Sequence, residues 1–178
     1  MTDVEYIRCN WFTVSDAIRT KHYLKRMPAG ILDCFAIIDA QNFMNVLGAA
    51  VFTNGRIQYE GQYIEFSRLW LDDSMPKNSE SKFVGYLLRT LAIKYPTYKG
   101  VVTWADPKQG HSGTLYRACN FTYDGMSRST KRYKSKATNR LVYQRTVVAT
   151  EDFHEISADS GKFRYIYYFD KKQREATR

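Results

Sequence analysis

Within TKHYLKR, His22 and Tyr23 set an imidazole beside a phenol. Imidazole titrates near neutral pH, so the pair reads in two ways: a surface-facing pair on a basic helix, or a general base or metal ligand next to a proton relay. Arg68 falls mid-strand between Phe66 and Trp70, where an unpaired charge is costly to bury. It is either half of a structural ion pair or an anion-binding guanidinium. Asn78, Ser79 and Ser81 cluster at the start of a long helical pattern. One helix cap explains one of them; together with Arg68 they could close around a phosphate or carboxylate at the helix N-terminus.

Further along, WADPKQGHSGTLYRACNFTYDG spans Trp104 to Gly125 and carries Asp106, His111 and Tyr116 around a glycine-bounded turn. Sites in α/β sheets form at the carboxyl ends of strands, which favours Asp106 as a reacting group. Asp-Pro is equally an ordinary turn starter, with His111 a loop residue that shapes it. The stretch SRSTKRYKSKATNR adds Lys131, Arg132, Lys134 and Lys136 with Tyr133 among them. Such a run is usually a solvated loop; beside a formal charge of +9 it points to phosphate contact with nucleic acid, the interleaved tyrosine stacking on a base.

These residues need a scaffold, and 178 residues with 44% hydrophobic and 15% aromatic side chains supply the core of one domain. The reading is a single domain over 1–178, with a basic segment at 127–140 and a C-terminal strand near 163–169. Cys9, Cys34 and Cys119 are odd in number and widely spaced, which suggests free buried thiols. The longest apolar runs fall well short of the roughly 20 residues of a membrane span, so a soluble, cytosolic protein without a membrane partner is expected.

Hydrophobic periodicity predicts a strand over Val4 to Cys9, a helix over Val14 to Met27, and strands over Ile31 to Asp39, Met44 to Phe52 and Tyr63 to Leu71. Alternation in that last strand would put Ile64, Phe66 and Arg68 on one face. A helix over Glu80 to Tyr95 follows, then a short strand from Val101 to Ala105, a short helix from Thr114 to Cys119, a strand starting at Phe121, and strands over Arg140 to Val148 and Phe163 to Phe169. This order is α/β (α+β): a central mixed, mostly antiparallel sheet flanked by helices, as in GNAT-type acyltransferases. The loop DDSMPKNSES, where such enzymes carry a glycine-rich phosphate turn, has no glycine.

HYLKR, SRLWLDDSMPKNSES and WADPKQGHSGTLYRACNFTYDG together resemble the Mom family of bacteriophage DNA-modification proteins, over roughly His22 to Gly125. The resemblance implies a GNAT-like fold that converts adenine in DNA to N6-carbamoylmethyladenine, protecting phage DNA from host restriction in the bacterial cytoplasm. Its partner would be double-stranded DNA and its donor an unidentified carrier of the carbamoylmethyl group, acyl-CoA-like or other. Carried over by motif, His22, Tyr23, Asp106 and Tyr116 are catalytic candidates, and Arg68 and Ser81 donor-binding ones, to which the reading of the helix start adds Asn78. An iron or other divalent metal is also implied, with His22 and Asp106 as candidate ligands. The alternatives are an acetyl-CoA-dependent N-acetyltransferase of a small molecule or protein, and a non-enzymatic DNA-binding protein.

Overall fold

A computed structural model describes residues 3–55, 61–127, 130–138, 141–143, 152–159 and 161–177. The chain runs β1 (Val4–Cys9), α1 (Trp11–Thr20), β2 (Ile31–Asp39), β3 (Asn42–Asn54), β4 (Tyr63–Leu71), α2 (Ser79–Lys94), β5 (Gly100–Ala105) and α3 (Thr114–Ala118). There follow β6 (Thr122–Met126), β7 (Thr130–Ser135), β8 (Leu141–Tyr143), β9 (Phe153–Asp159), β10 (Phe163–Tyr168) and α4 (Lys171–Ala176). Seven strands form one sheet in the order β1-β2-β3-β4-β5-β10-β6, and β8-β7-β9 form a second. Within the large sheet only β4 and β5 pair in parallel, so it is mixed and mostly antiparallel.

The near-continuous apolar run of β2 reflects burial on both faces. Phe35 and Ile37 pack with Phe83, Val84, Leu87, Leu88 and Leu91 of α2. Cys34, Ala36 and Ile38 alternate to the other face, against Val14, Ala17 and Ile18 of α1. One aspartate interrupts the run: Asp33, buried, accepts from Arg8 Nε (2.7 Å), Lys94 Nζ (2.6 Å), the Tyr95 hydroxyl (3.1 Å) and the Cys34 N–H (3.2 Å). Those donors make its burial tolerable, and they clip β1 and the end of α2 to the sheet.

The helix expected over Val14 to Met27 instead occupies Trp11–Thr20. The apolar stripe of Val14 and Ile18 would continue at positions 21 and 25, which are Lys21 and Lys25. With nothing to bury, the chain leaves the helix, and Lys25 takes a left-handed conformation at φ 46°. His22 and Tyr23 therefore sit in the loop after α1, not on the helix.

Strand β4 departs from regular alternation. Val51 of β3 pairs with Arg68 and the next residue, Phe52, pairs with Phe66, leaving Ser67 as an extra residue. This bulge is held by a 2.7 Å hydrogen bond between Thr53 Oγ1 and Ser67 Oγ. It inverts the strand's facing: Ile64 and Phe66 lie on the α2 side, as do Leu69 and Leu71 beyond the bulge, whereas Trp70 packs with the α1 cluster. The expectation that Arg68 shares a face with Ile64 and Phe66 is thus corrected, because the bulge advances the pleat by one residue.

The basic segment is a strand, not a loop. β7 pairs with β8 and β9 in the small sheet, and neither β9 nor α4 was anticipated. Of the strand expected over Arg140 to Val148, Leu141–Tyr143 is present as β8; Arg140 and 144–148 lie outside the described residues. This small sheet is inserted between β6 and β10. Its neck is closed by Ser127 N–H donating to the Lys162 carbonyl and Lys162 N–H donating to Ser127 Oγ, both at 2.8 Å. Because Phe163 pairs with both Met126 and Ala105, the insert leaves the large sheet at the end where β5 finishes.

Candidate active site

Strands β4 and β5 pair at Tyr63–Gly100, Ile64–Val101 and Glu65–Val102, and then diverge. The Thr103 hydroxyl donates to the Phe66 carbonyl at 3.1 Å across the start of the gap. Beyond it opens a cleft of about 170 Å³, walled by Lys21, His22 and Tyr23 from the α1–β2 loop and by Phe66 to Trp70 of the bulged strand. Trp104, His111 and Tyr116 complete it from the other side. A bulge beside a strand gap re-aims side chains that regular pleating would send elsewhere, and here it turns Arg68 into the cleft.

Only 6% of His22 is exposed. Its Nδ1 accepts the Leu24 N–H at 3.1 Å, so in the neutral ring the proton resides on Nε2. Burial, and then the positive charges of Arg68, His111 and Lys162, push its pKa down to about 4. At neutral pH His22 is therefore an uncharged donor. Its ring stacks on Tyr23 at 4.5 Å, and Tyr23 meets His111 edge-on at 5.5 Å. His111, expected only to shape its loop, thus forms part of the wall.

Arg68 donates to two carbonyl oxygens, those of Arg26 (3.2 Å) and Ser67 (2.6 Å). Among the described residues no carboxylate lies within ion-pair distance of it. Burial first, and then the charge of Arg26, press its pKa downward, opposed by Tyr23 and Glu65. The structural ion pair considered for Arg68 is not seen among the described residues.

Tyr116 is held by aromatic neighbours: Phe121 at 5.4 Å, Tyr165 at 5.6 Å and Phe66 at 6.5 Å. Burial raises the pKa of its phenol, opposed by the Thr103 hydroxyl. The preceding turn is fixed from below, because the Tyr165 hydroxyl donates to the Ser112 carbonyl at 2.9 Å. Gly113, at φ 79°, leaves no room for a side chain: a Cβ there would stand 2.2 Å from the Tyr165 ring. This contact sets both His111 and Tyr116 at the cleft.

Asp106 does not line the cleft. Its Oδ1 accepts the Lys108 N–H at 3.1 Å, capping the 3₁₀ turn Pro107–Gln109, and Oδ2 pairs with Lys162 Nζ at 2.8 Å. Nor does it pair with His22. Among the described residues no three His, Cys, Asp or Glu side chains converge as a metal-ligand group, and Asp106 is engaged by Lys162 outside the cleft that His22 lines.

Asn78, Ser79 and Glu80 line a second cavity, of about 250 Å³, between Leu71 and the start of α2. Asn78 adopts the left-handed conformation at φ 69° and its side chain does not cap the helix. It takes the conformation a glycine would supply, which asparagine tolerates better than most residues. Ser81 Oγ bonds the Asn78 carbonyl at 3.0 Å and lies outside the lining. The Ser79 N–H donates to the Pro76 carbonyl at 3.1 Å, and the Asn78 side chain leaves the N–H groups after it uncapped. Of the candidate DNA-contacting residues, Tyr133 and Lys134 are half-buried on β7 and Lys136 is exposed just after it, paired with Asp152 at 2.8 Å. The side chains of Lys131 and Arg132 lie outside the described residues.

An open sheet with a bulged β4, a gap beside β5 and a strand returning between β5 and β6 defines the N-acetyltransferase fold. Solved structures bear this out. NAA60 of Arabidopsis thaliana, in complex with acetyl-CoA, superposes with a TM-score of 0.59 at 10% identity, over 93% of this chain and 99% of that one. The ribosomal-protein-S5-alanine acetyltransferase of Vibrio fischeri gives 0.59 at 12% identity, over 96% of both chains. Within that fold the chain belongs to the Mom protein family, whose family model matches residues 7–178. It is 30% identical to the methylcarbamoylase Mom of Escherichia phage Mu over 97% of this chain and 77% of that protein. No helix among the described residues is long and apolar enough to cross a membrane.

Proposed function

We propose that this protein modifies adenine in double-stranded phage DNA, attaching a carbamoylmethyl group to N6. The observation that carries this reading is the meeting in one cleft of the His22-Tyr23 pair, Arg68 and Tyr116, side chains drawn from three separate stretches of a Mom-family chain. Adenine N6 is a poor nucleophile because its lone pair is delocalised into the ring. Forming a new C–N bond requires loss of an N6 proton and an activated carbon on the donor. Tyr116 and Tyr23 accept hydrogen bonds from the amino group and pass its proton to solvent, as the bond between the donor carbon and its carrier breaks and the carrier leaves with the electron pair. His22, as an uncharged Nε2–H donor, and Arg68 hold the carbonyl or anionic part of the donor where charge develops.

The acidic end of an acyl-CoA-like donor fits the uncapped start of α2 beside Asn78. When bound, such a carrier supplies the activated group. N6 is hidden inside a duplex, so the adenine is flipped out, with Trp104 and Tyr23 as the aromatic surfaces that receive it. The inserted sheet supplies phosphate contacts through Lys134, Lys136 and the basic residues around them.

The test is expression in a bacterium, digestion of total DNA to nucleosides, and mass spectrometry for an adenosine heavier by a carbamoylmethyl group. The adduct should be present with the native chain and lost with Arg68→Ala. Unmodified adenine in a well-expressing strain would count against the reading. Acetyl transfer to a small amine in the same strain would support the N-acetyltransferase alternative that the fold also suits.

A further inference from the structure

Asp106 and Lys162 join two parts of the chain with different tasks. Asp106 directly follows β5, two residues after Trp104 of the cleft wall, and Lys162 is the last residue of the insert before β10. We propose that their ion pair registers the inserted basic sheet against the cleft, making Asp106 a positioning residue for the duplex and not the acceptor of the adenine proton. This rests on the reading of the insert as a DNA-binding element.

Three observations carry the inference. Both carboxylate oxygens of Asp106 are already engaged, one by the Lys108 N–H and one by the Lys162 ammonium. The side chain is 14% exposed and is not part of the cleft wall. The neck it grips is narrow and tight. Ser127 and Lys162 exchange two hydrogen bonds there, and a Cβ on Gly161 would stand 2.1 Å from the Ser127 carbonyl oxygen. The insert departs from this neck, so a small rotation there is magnified at its far end. A six-residue strand is about 20 Å long, so a 10° turn at the neck moves the far end by about 3 Å. A shift of that size breaks direct contacts between the insert's lysines and the phosphates, a loss that falls on duplex affinity.

The experiment compares Asp106→Asn, Lys162→Met and the charge-swapped double variant Asp106→Lys/Lys162→Asp. Affinity for a fluorescein-labelled duplex is read by anisotropy, and KM for duplex and kcat by adduct formation. The expected result is that each single change weakens duplex affinity and raises KM by about tenfold, with kcat at saturating duplex held within about threefold. The swap should recover most of the affinity, which a proton acceptor replaced by lysine could not do for kcat. A fall of about 10²-fold in kcat for Asp106→Asn with KM unchanged, and no recovery in the swap, would overturn the proposal. Affinity equal to the native chain in both single variants would also overturn it, without touching the proposed function. A native chain that fails to bind duplex at all would remove the reading on which it stands.

Discussion

Keeping His22 uncharged makes folding stability depend on pH in a calculable way. The imidazole has an ordinary pKa of 6.5 in the unfolded chain and about 4 in the fold. As pH falls through 6.5 the unfolded chain takes up a proton that the folded chain refuses, so stability is lost as the solution is acidified. At about 1.4 kcal/mol per pH unit the whole effect is about 3 kcal/mol, with about 2 kcal/mol gone by pH 5 relative to pH 7.5. To isolate this contribution, the assay compares urea unfolding of the native chain with that of His22→Gln at each pH. Gln cannot ionise, and its lost ring contacts give an offset that does not vary with pH. The native chain should lose about 2 kcal/mol relative to the variant between pH 7.5 and 5. A difference constant to within about 0.5 kcal/mol over that interval would show that His22 ionises normally in the fold, and the neutral-donor assignment would fail.

Four other outcomes follow from the geometry. Replacing Arg68 with Lys keeps the charge and loses the planar fork, so adduct formation should fall by about 10²-fold while the urea midpoint barely moves. Gly113→Ala combines a left-handed backbone with a clash against Tyr165; it should cost at least about 2 kcal/mol by denaturation. Asp33→Ala removes the buried acceptor shared by Lys94, the Tyr95 hydroxyl and the Cys34 N–H, and a loss of about 1–3 kcal/mol is expected by urea unfolding. In salt titrations of duplex affinity, Lys134→Ala should reduce the log-log slope by about 1, and Lys136→Ala by less, because Asp152 already offsets that charge.

The alternation and helical stripes in the sequence are strong enough to locate the seven-stranded sheet and α2, because their apolar residues are buried by local period. Position within the site follows other rules. Arg68 was read on the face opposite to the one it occupies, since nothing in YIEFSRLWL marks Ser67 as an unpaired residue; the bulge depends on its partner strand. Lys21 and Lys25 are legible in the sequence as breaks in the stripe of α1, and their effect is to free His22 and Tyr23 into a loop. Asp106 looked like a reacting group because it ends a strand, yet its partner Lys162 lies 56 residues further on in sequence, after a sheet that the basic run concealed. Charge had suggested a solvated loop, while β7 is held by pairing on both sides. The asparagine at the start of α2 was weighed as a cap, and its left-handed backbone, which has no hydropathy signature, makes it a substitute for glycine.

The extra residue at Ser67 has one more implication. Its side chain does little beyond a hydrogen bond to Thr53, so the information it carries is its presence in the count. Deleting it would leave Phe66 opposite Phe52 and Arg68 opposite Val51, so β4 would zip regularly onto β3 with each side chain on its present face. Closing the bulge with the residue kept would instead set Ser67 opposite Val51 and send Arg68 opposite Ala50, to the face of α2 and its apolar surroundings, and the cleft would lose its cation. The register of β4 against β3, and not the identity of any one residue, addresses that guanidinium to the cleft.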